Sequence, residues 1–268
     1  MHARIGLPDG IEIALVDERG EGTPVVFVHG FSNDRSAWDD VTNALPAALR
    51  PIAYDLRGHG DSGWSVEGRY HPLDHARDLL GILDALELER AVVVGHSLGG
   101  NVATLFAAAH PARVRALVLV DTGPVLSAAA WRQASDDVGE QARAFASVAE
   151  YRALLSLAYP LADGAALDRF ARSSLCRRRD GRFEPKLDPA LLDLDGSEEH
   201  MRALEAALWD ALAKLRCPVL LARGERSAML PAPVAQRMVE QVIANARAVE
   251  IEGAGHAVAF DAAPALAR

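Results

Sequence analysis

The most reactive pattern in the chain is a serine held between glycines. Residues 95–99 read Gly-His-Ser-Leu-Gly, and they follow the apolar run at 91–94 and precede a helical pattern. G-x-S-x-G between a strand and a helix is typical of a strained turn that lifts the serine hydroxyl out of a sheet. Glycine is needed on both sides because a side chain there would collide with the facing backbone. Ser97 is therefore predicted to be a nucleophile, the alternative being a turn that only links strand to helix.

A serine nucleophile requires a base to take its proton. Of the nine histidines, His256 follows the last predicted strand through the Gly-rich stretch EGAGH near the chain end. That place agrees with the chain order serine, acid, histidine of such sites, so His256 is the predicted base, the alternative being a surface histidine. His59 and His96 lie within turns and are expected to support the site.

The negative charge that develops on a substrate oxygen requires two hydrogen-bond donors. The backbone N–H of Leu98, directly after the nucleophile, is the first candidate. The second is the backbone N–H of Phe31 in the stretch His29-Gly30-Phe31, which follows an earlier apolar run. Gly30 permits the turn that would direct this N–H inward.

Strands and helices alternate along most of the chain. Continuous β-branched runs such as TPVVFV, PIAY, AVVV, ALVLV, PVLLA and RAVEI read as strands covered on both faces. Helical patterns lie between them, for example at 73–87 and 101–111. The predicted fold is α/β, with a mostly parallel, doubly wound sheet that opens on an alternating strand in IEIALVD.

The alternation stops between residues 127 and 215, where only helical spacings are visible. We predict a helical cap at 124–215 over a core formed by 1–123 and 216–268. Open α/β sheets bind ligands at the carboxyl ends of their strands, so this cap would roof the site. Trp38, Trp131 and Trp209 are candidate substrate-binding residues, although packing into the core explains an aromatic residue equally well.

Composition excludes several classes of partner. The net charge of −9 disfavours nucleic acid and anionic membranes, and half of the residues are hydrophobic, as in ordinary globular proteins. Cys176 and Cys217 are isolated, and His71 and His75 are separated by Pro72 without an HExxH motif, so no metal site is predicted. No signal peptide or membrane span is visible, which predicts a cytoplasmic location. A small-molecule substrate remains, and oligomeric state cannot be predicted.

Six stretches carry a resemblance to a known family: VVFVHGFSNDRSAWDDV, IAYDLRGHGDSG, VVVGHSLGGNVA, LVLVDTGP, PVLLARGE and EIEGAGHAVAFD. In order and spacing the chain resembles the α/β-hydrolase superfamily, and within it the small capped bacterial hydrolases. The resemblance implies the α/β-hydrolase fold and a serine esterase-like mechanism without a cofactor. The substrate stays open because this fold hosts many chemistries.

The resemblance leaves the acid of the site undecided. In similar sequences the loop after PVLLARG carries an aspartate that orients the histidine. Here that place is taken by Ala228. Some relatives place the acid at the end of the earlier strand, which implies Asp121, although an aspartate there can also merely brace a loop. Glu225 is the alternative acid. A third alternative is that no acid serves or that Ala228 replaces an original aspartate.

The predicted function is hydrolysis of a small or medium, mostly apolar ester or acyl compound through an acyl-enzyme. Two alternatives stand beside it. The first is a carbon–carbon bond hydrolase or a cofactor-free enzyme on the same fold. The second is a ligand-binding, receptor-like protein with little turnover, which the alanine at position 228 favours.

Overall fold

A computed structural model describes residues 2–18, 20–125, 136, 138–140 and 142–268 of the chain. Its centre is an eight-stranded sheet. In chain order, the strands of that sheet are β1 (His2–Gly6), β2 (Glu12–Asp17), β3 (Thr23–Val28), β4 (Leu49–Tyr54), β5 (Ala91–His96), β6 (Val114–Val120), β9 (Val219–Gly224) and β10 (Ala246–Ile251). The strands β7 (Leu175–Arg177) and β8 (Phe183–Pro185) form a separate antiparallel pair.

The sheet order is β1-β2-β4-β3-β5-β6-β9-β10. All neighbouring pairs from β4 to β10 are parallel. The strand β2 pairs antiparallel with both β1 and β4, so among the described strands of this sheet it alone runs in the opposite direction. The carboxyl ends of the parallel strands therefore meet at one edge of the sheet. The segments that follow β3, β5, β6, β9 and β10 carry every predicted catalytic and oxyanion residue, so the topology collects them on that edge.

The helices cover the two faces of the sheet and form the insertion after β6. They are α1 (Asp39–Asn43), α2 (Pro72–Ala85), α3 (Leu98–Ala109), α4 (Val148–Ala158), α5 (Gly164–Ser173), α6 (Glu198–Lys214), α7 (Ala232–Arg237), α8 (Val258–Asp261) and α9 (Ala263–Leu266). Short 3-10 helices span Arg35–Trp38, Pro111–Arg113 and Pro189–Asp193, and a π-helical turn spans Met238–Val242. Within the described residues, none of the helices combines the length and hydrophobicity that a membrane span requires.

The core lies on both faces of the parallel strands because their side chains are apolar at successive positions. Val26 and Val28 belong to one buried cluster with residues of α2 and α3, whereas Val25 and Phe27 belong to a cluster on the opposite face. Alternate residues of a strand point to opposite faces, so a strand buried on both sides must be apolar throughout. Packing on both faces therefore fixes the position of the carboxyl ends of these strands.

The predicted fold class is confirmed, with two differences in the elements. The strand β1 was missed, since its burial alternates between exposed and half-buried residues and gives no apolar run. The insertion was expected to be helical only, but it contains the β7–β8 hairpin. Its turn at Arg178 to Gly181 is closed by backbone hydrogen bonds, and Gly181 has a φ of 86°, which glycine adopts without strain.

The two halves of the insertion pack differently. The helices α4 and α5 share an apolar cluster that includes Tyr151, Leu155 and Phe170. In contrast, α6 places Leu208 and Leu212 in the same cluster as the sheet and α3. The division into a core and a cap at residues 124 and 215 stays a prediction, and the packing of α6 brings part of the proposed cap into the main core.

Backbone segments approach one another unusually closely around the turn after β5. A Cβ atom added to Gly95 would lie 2.3 Å from the carbonyl oxygen of Gly99. One added to Gly99 would lie 2.2 Å from the carbonyl oxygen of Val28. The obstacle is backbone in both cases and cannot move aside, which is the physical reason for glycine on both sides of Ser97.

We predict that Gly99→Ala lowers the free energy of unfolding by about 3 kcal/mol, because the added methyl group overlaps the β3 backbone. Gly6→Ala is the matched control, since a Cβ at Gly6 meets no atom within 4 Å. Urea denaturation of both variants measures the difference. Equal stability of the two variants would contradict the close approach.

Candidate active site

Ser97 occupies a strained backbone conformation between β5 and α3. Its φ is 51° and its ψ is −118°, a region that residues other than glycine rarely adopt. Hydrogen bonds hold it there: its N–H donates to the Val120 carbonyl, and its carbonyl accepts from the Gly100 N–H and the Thr122 hydroxyl. The strain is thus supported by β6 and by the first turn of α3, as expected where geometry serves function.

The loop after β3 passes directly beside Ser97. A Cβ atom at Gly30 would lie 3.3 Å from the Cβ of Ser97 and 2.8 Å from His96 Nδ1. Phe31, Ser97 and Leu98 all line the same cavity. The two segments predicted to supply oxyanion donors therefore flank the serine. Leu98 also begins α3, where the backbone N–H groups of a helix are directed outward.

His256 lies in a loop after β10 that is held on several sides. Its backbone carbonyl lies 2.8 Å from His96 Nε2, and the two imidazole rings are 4.7 Å apart. The preceding Gly255 N–H donates to Asp261 Oδ2. Because His96 is adjacent to Ser97 in the chain, its bond to the loop ties the histidine segment to the serine segment.

The carboxylate that meets His256 is Asp121. The distance between His256 Nδ1 and Asp121 Oδ2 is 2.7 Å, and the Asp121 side chain is fully buried. Asp121 directly follows β6 with a φ of 44°, a second strained position at the same edge of the sheet. Its Oδ1 accepts from the Gly224 N–H, and its Oδ2 also accepts from the Ser227 hydroxyl. A carboxylate in this position fixes the orientation and tautomer of an imidazole.

Ser97 Oγ and His256 are not joined directly in this structure. Among the hydrogen bonds between described residues, none links the hydroxyl of Ser97 to the ring of His256. Their segments are nevertheless connected through His96 and through β6, which bonds to Ser97 at Val120 and continues into Asp121. In such sites the bond between nucleophile and base often tightens only in the complex with substrate.

A cavity of about 340 Å³ opens above Ser97. Most of its wall is apolar, and the wall is formed by residues from both the predicted core and the predicted cap. The apolar residues include Leu98, Pro124, Leu191, Leu194, Met201, Leu204, Leu208 and Met229. Polar groups interrupt that wall at Asn101, His71 and His200, and the rings of the two histidines lie 5.8 Å apart. This volume and this mixture are typical of small-molecule sites.

Comparison with known proteins places this geometry in a family. The model of the alpha/beta hydrolase fold family matches residues 23–263. The chain belongs to that family. The resemblance stated from the sequence motifs is therefore confirmed.

Several of the similar proteins are named as hydrolases or esterases. Over 243 residues the chain is 29% identical to a 2-(acetamidomethylene)succinate hydrolase of Mesorhizobium japonicum, covering 91% of this chain and 84% of that protein. A crystal structure of E-2-(acetamidomethylene)succinate hydrolase superposes with a TM-score of 0.87 at 26% identity, over 100% of this chain and 96% of the other. An esterase of Mycobacterium tuberculosis superposes with a TM-score of 0.79 at 28% identity, over 100% and 88%. Family membership and these similarities show that the protein is an enzyme of the hydrolase class.

His256 and Asp121 form a hydrogen-bonded pair, called the dyad below. Of the remaining predicted residues, those that the structure describes neither bond to the dyad nor line the cavity above Ser97. Glu225 is exposed, and its carboxylate accepts from the Gly253 N–H instead of meeting His256. Trp38 is 1% exposed in the core against Phe27, so its prediction as a substrate-binding residue is corrected. Trp209 bonds to Glu205 and stacks under Arg237 without lining the cavity, and Trp131 lies outside the described residues.

His96, which is expected to support the site, and His29 are both buried and uncharged at neutral pH. Burial, with a smaller effect of His256, lowers the pKa of His96 to about 3, and burial lowers that of His29 to about 4. His29 accepts from the Leu56 N–H through Nε2, and its Nδ1 lies 2.8 Å from the Gly30 carbonyl. These neutral rings can act as fixed hydrogen-bonding groups around the site.

A second cavity, of about 360 Å³, has a different character. Many charged side chains line it, including Asp34, Arg35, Asp39, Asp61 and Lys186, and none of the predicted site residues does. Across the described part of the chain, no group of His, Cys, Asp and Glu side chains is arranged to hold a metal ion. The cavity above Ser97 is therefore the candidate active site.

Sequence reasoning missed the residues that position the dyad. Ser227 and the Gly224 N–H bind Asp121, and Asp261 holds the backbone beside His256. The signal for Ser227 was its place beside Ala228, in the loop where the resemblance puts an acid. A serine in a turn has no distinctive spacing, so only the three-dimensional contact reveals its role.

The buried His59 gives a prediction for acid stability. Burial, and next the neighbouring His29, lower the pKa of His59 from 6.5 to about 3. As the pH falls, His59 therefore takes up a proton in the unfolded chain before it does so in the folded protein. The free energy of unfolding consequently decreases below about pH 6.5. His59→Asn should reduce the loss of unfolding free energy between pH 7.5 and pH 5 by about 2 kcal/mol.

The measurement is urea denaturation at both pH values, with His2→Asn as the control because His2 is exposed. The control should behave as the wild type. An identical loss of stability in His59→Asn and in the wild type would show that His59 does not enter the acid transition.

Proposed function

We propose that this α/β hydrolase is a serine carboxylesterase-like enzyme that forms an acyl-enzyme on Ser97. The hydrogen bond of 2.7 Å between His256 Nδ1 and Asp121 Oδ2 is the observation that carries the proposal. An imidazole held through Nδ1 by a buried carboxylate leaves Nε2 to accept the proton of a serine hydroxyl. His256 is thus the base, Asp121 the acid and Ser97 the nucleophile.

The reaction proceeds in two steps. His256 takes the Ser97 proton while Oγ attacks the ester carbonyl, and the backbone N–H groups of Leu98 and Phe31 stabilise the oxyanion. The protonated imidazole then gives its proton to the departing alcohol, leaving the acyl group on Oγ. A water molecule, deprotonated by His256, attacks the acyl carbonyl and releases the acid with Ser97 restored.

The cavity supports a substrate of small or medium size with an apolar acyl group. Most of its exposed wall is apolar, with leucine, methionine and proline side chains beside Phe31 and Tyr70, while Arg69, Asp74 and Asp195 add charged groups, and its volume is about 340 Å³. Burial of apolar surface contributes binding free energy in proportion to the area removed from water. Acyl chains that fit the cavity are therefore favoured over long ones.

The receptor-like alternative was motivated by the alanine at position 228. The contact of Asp121 with His256 weakens this alternative, because a buried carboxylate can orient the histidine without a contribution from residue 228. The proposal therefore favours turnover over simple ligand binding.

The main test uses p-nitrophenyl acetate, butyrate, octanoate and palmitate. We expect hydrolysis of the shorter esters, with Ser97→Ala and His256→Ala each lowering kcat at least about a thousandfold, because nucleophile and base act as one unit. Circular dichroism verifies that both variants are folded. Hydrolysis at equal rates by the wild type and both variants would refute the proposal.

A second test separates the two candidate acids. Asp121→Asn should lower kcat by about a thousandfold to ten-thousandfold, because the amide stabilises the wrong tautomer of His256. Glu225→Gln is the matched control and should retain the rate of the wild type. The reverse pattern, with Glu225→Gln impaired and Asp121→Asn active, would assign the acid to Glu225.

A further inference from the structure

Ser227 lies in the turn after β9, next to position 228, where the resemblance implied an acid. Its side chain is buried, with 7% of the residue exposed, whereas Ala228 is exposed. The Ser227 Oγ lies 2.5 Å from Asp121 Oδ2, the oxygen that also meets His256 Nδ1. The turn therefore reaches the dyad through residue 227.

The direction of the Ser227 proton follows from its other contacts. Two backbone N–H groups, those of Met229 and Leu230, donate to Ser227 Oγ, each at 3.2 Å. A hydroxyl has one hydrogen and two lone pairs, so these donors occupy both lone pairs. The remaining hydrogen must point to Asp121, whose ionised carboxylate only accepts.

Three donors thus surround the Asp121 carboxylate. Gly224 N–H binds Oδ1 at 2.9 Å, while the Ser227 hydroxyl and His256 Nδ1 share Oδ2. Without the hydroxyl, Oδ2 would be held only by the histidine that it has to orient. A carboxylate held by Gly224 on one side can then rotate about its Cβ–Cγ bond and misalign the imidazole.

We propose that Ser227 is a positioning residue, a hydroxyl fixed by the β9 turn that locks the Asp121 carboxylate in the plane needed to orient His256. This role rests on the proposed function. The β9 turn thus supplies a hydrogen-bond donor for a proposed acid that follows the neighbouring strand β6.

The test compares Ser227→Ala, Ser227→Thr and Ser174→Ala in steady-state ester hydrolysis. Loss of one hydrogen bond to a charged group should lower kcat of Ser227→Ala about tenfold, with KM within about twofold of the wild type. Ser227→Thr retains the hydroxyl and should restore kcat to within about threefold. Ser174→Ala is the matched control, since this buried serine also donates to a carboxylate, that of Asp34, away from the dyad.

Wild-type kcat in a folded Ser227→Ala, or a change confined to KM, would overturn the role. If Ser227→Ala does not fold, Ser227→Cys replaces it, because a thiol of similar size is a weak donor. The same kcat loss is then expected, and full activity overturns the role. The variant Ser97→Ala, measured in parallel, separates the two hypotheses. If Ser97→Ala is active, both the proposed function and the role of Ser227 are refuted. If Ser97→Ala is inactive while Ser227→Ala is fully active, only the role of Ser227 is refuted.

Discussion

The close packing of backbone against backbone at the turn after β5 controls the geometry of the site. Gly95 and Gly99 face carbonyl oxygens at distances that exclude any side chain, and Ser97 between them is held at a positive φ. This approach brings α3, the end of β3 and the end of β6 together around one hydroxyl. Because the contacts are between main-chain atoms, the geometry depends on the fold itself more than on side-chain choices.

The parallel sheet explains how a carboxylate after β6 can meet a histidine that follows β10. Strand ends lie side by side, so an aspartate after β6 reaches the same histidine that a residue after β9 would reach. The β9 turn still contributes, through the Gly224 N–H and the Ser227 hydroxyl. The proposed site thus has its acid on one strand and the support of that acid on the next.

Sequence patterns predicted the elements with continuous apolar runs and the residues within strong motifs. The parallel strands, the turn at Ser97 and the loop of His256 all have such signals. No such signal marks the strand β1, the hairpin in the insertion or the burial of Trp38. These features depend on packing partners that are distant in the chain. The choice between Asp121 and Glu225 stayed open for the same reason, since only the fold determines which carboxylate meets His256.

The most direct measurement of the central claim is covalent labelling with a fluorophosphonate, followed by mass spectrometry of the digested protein. Such a reagent reacts with a serine whose hydroxyl is activated by a neighbouring base. The account predicts one labelled residue, Ser97, and strongly slowed labelling in His256→Ala. Labelling of a different residue, or active hydrolysis of esters by protein that the reagent leaves unmodified, would contradict it.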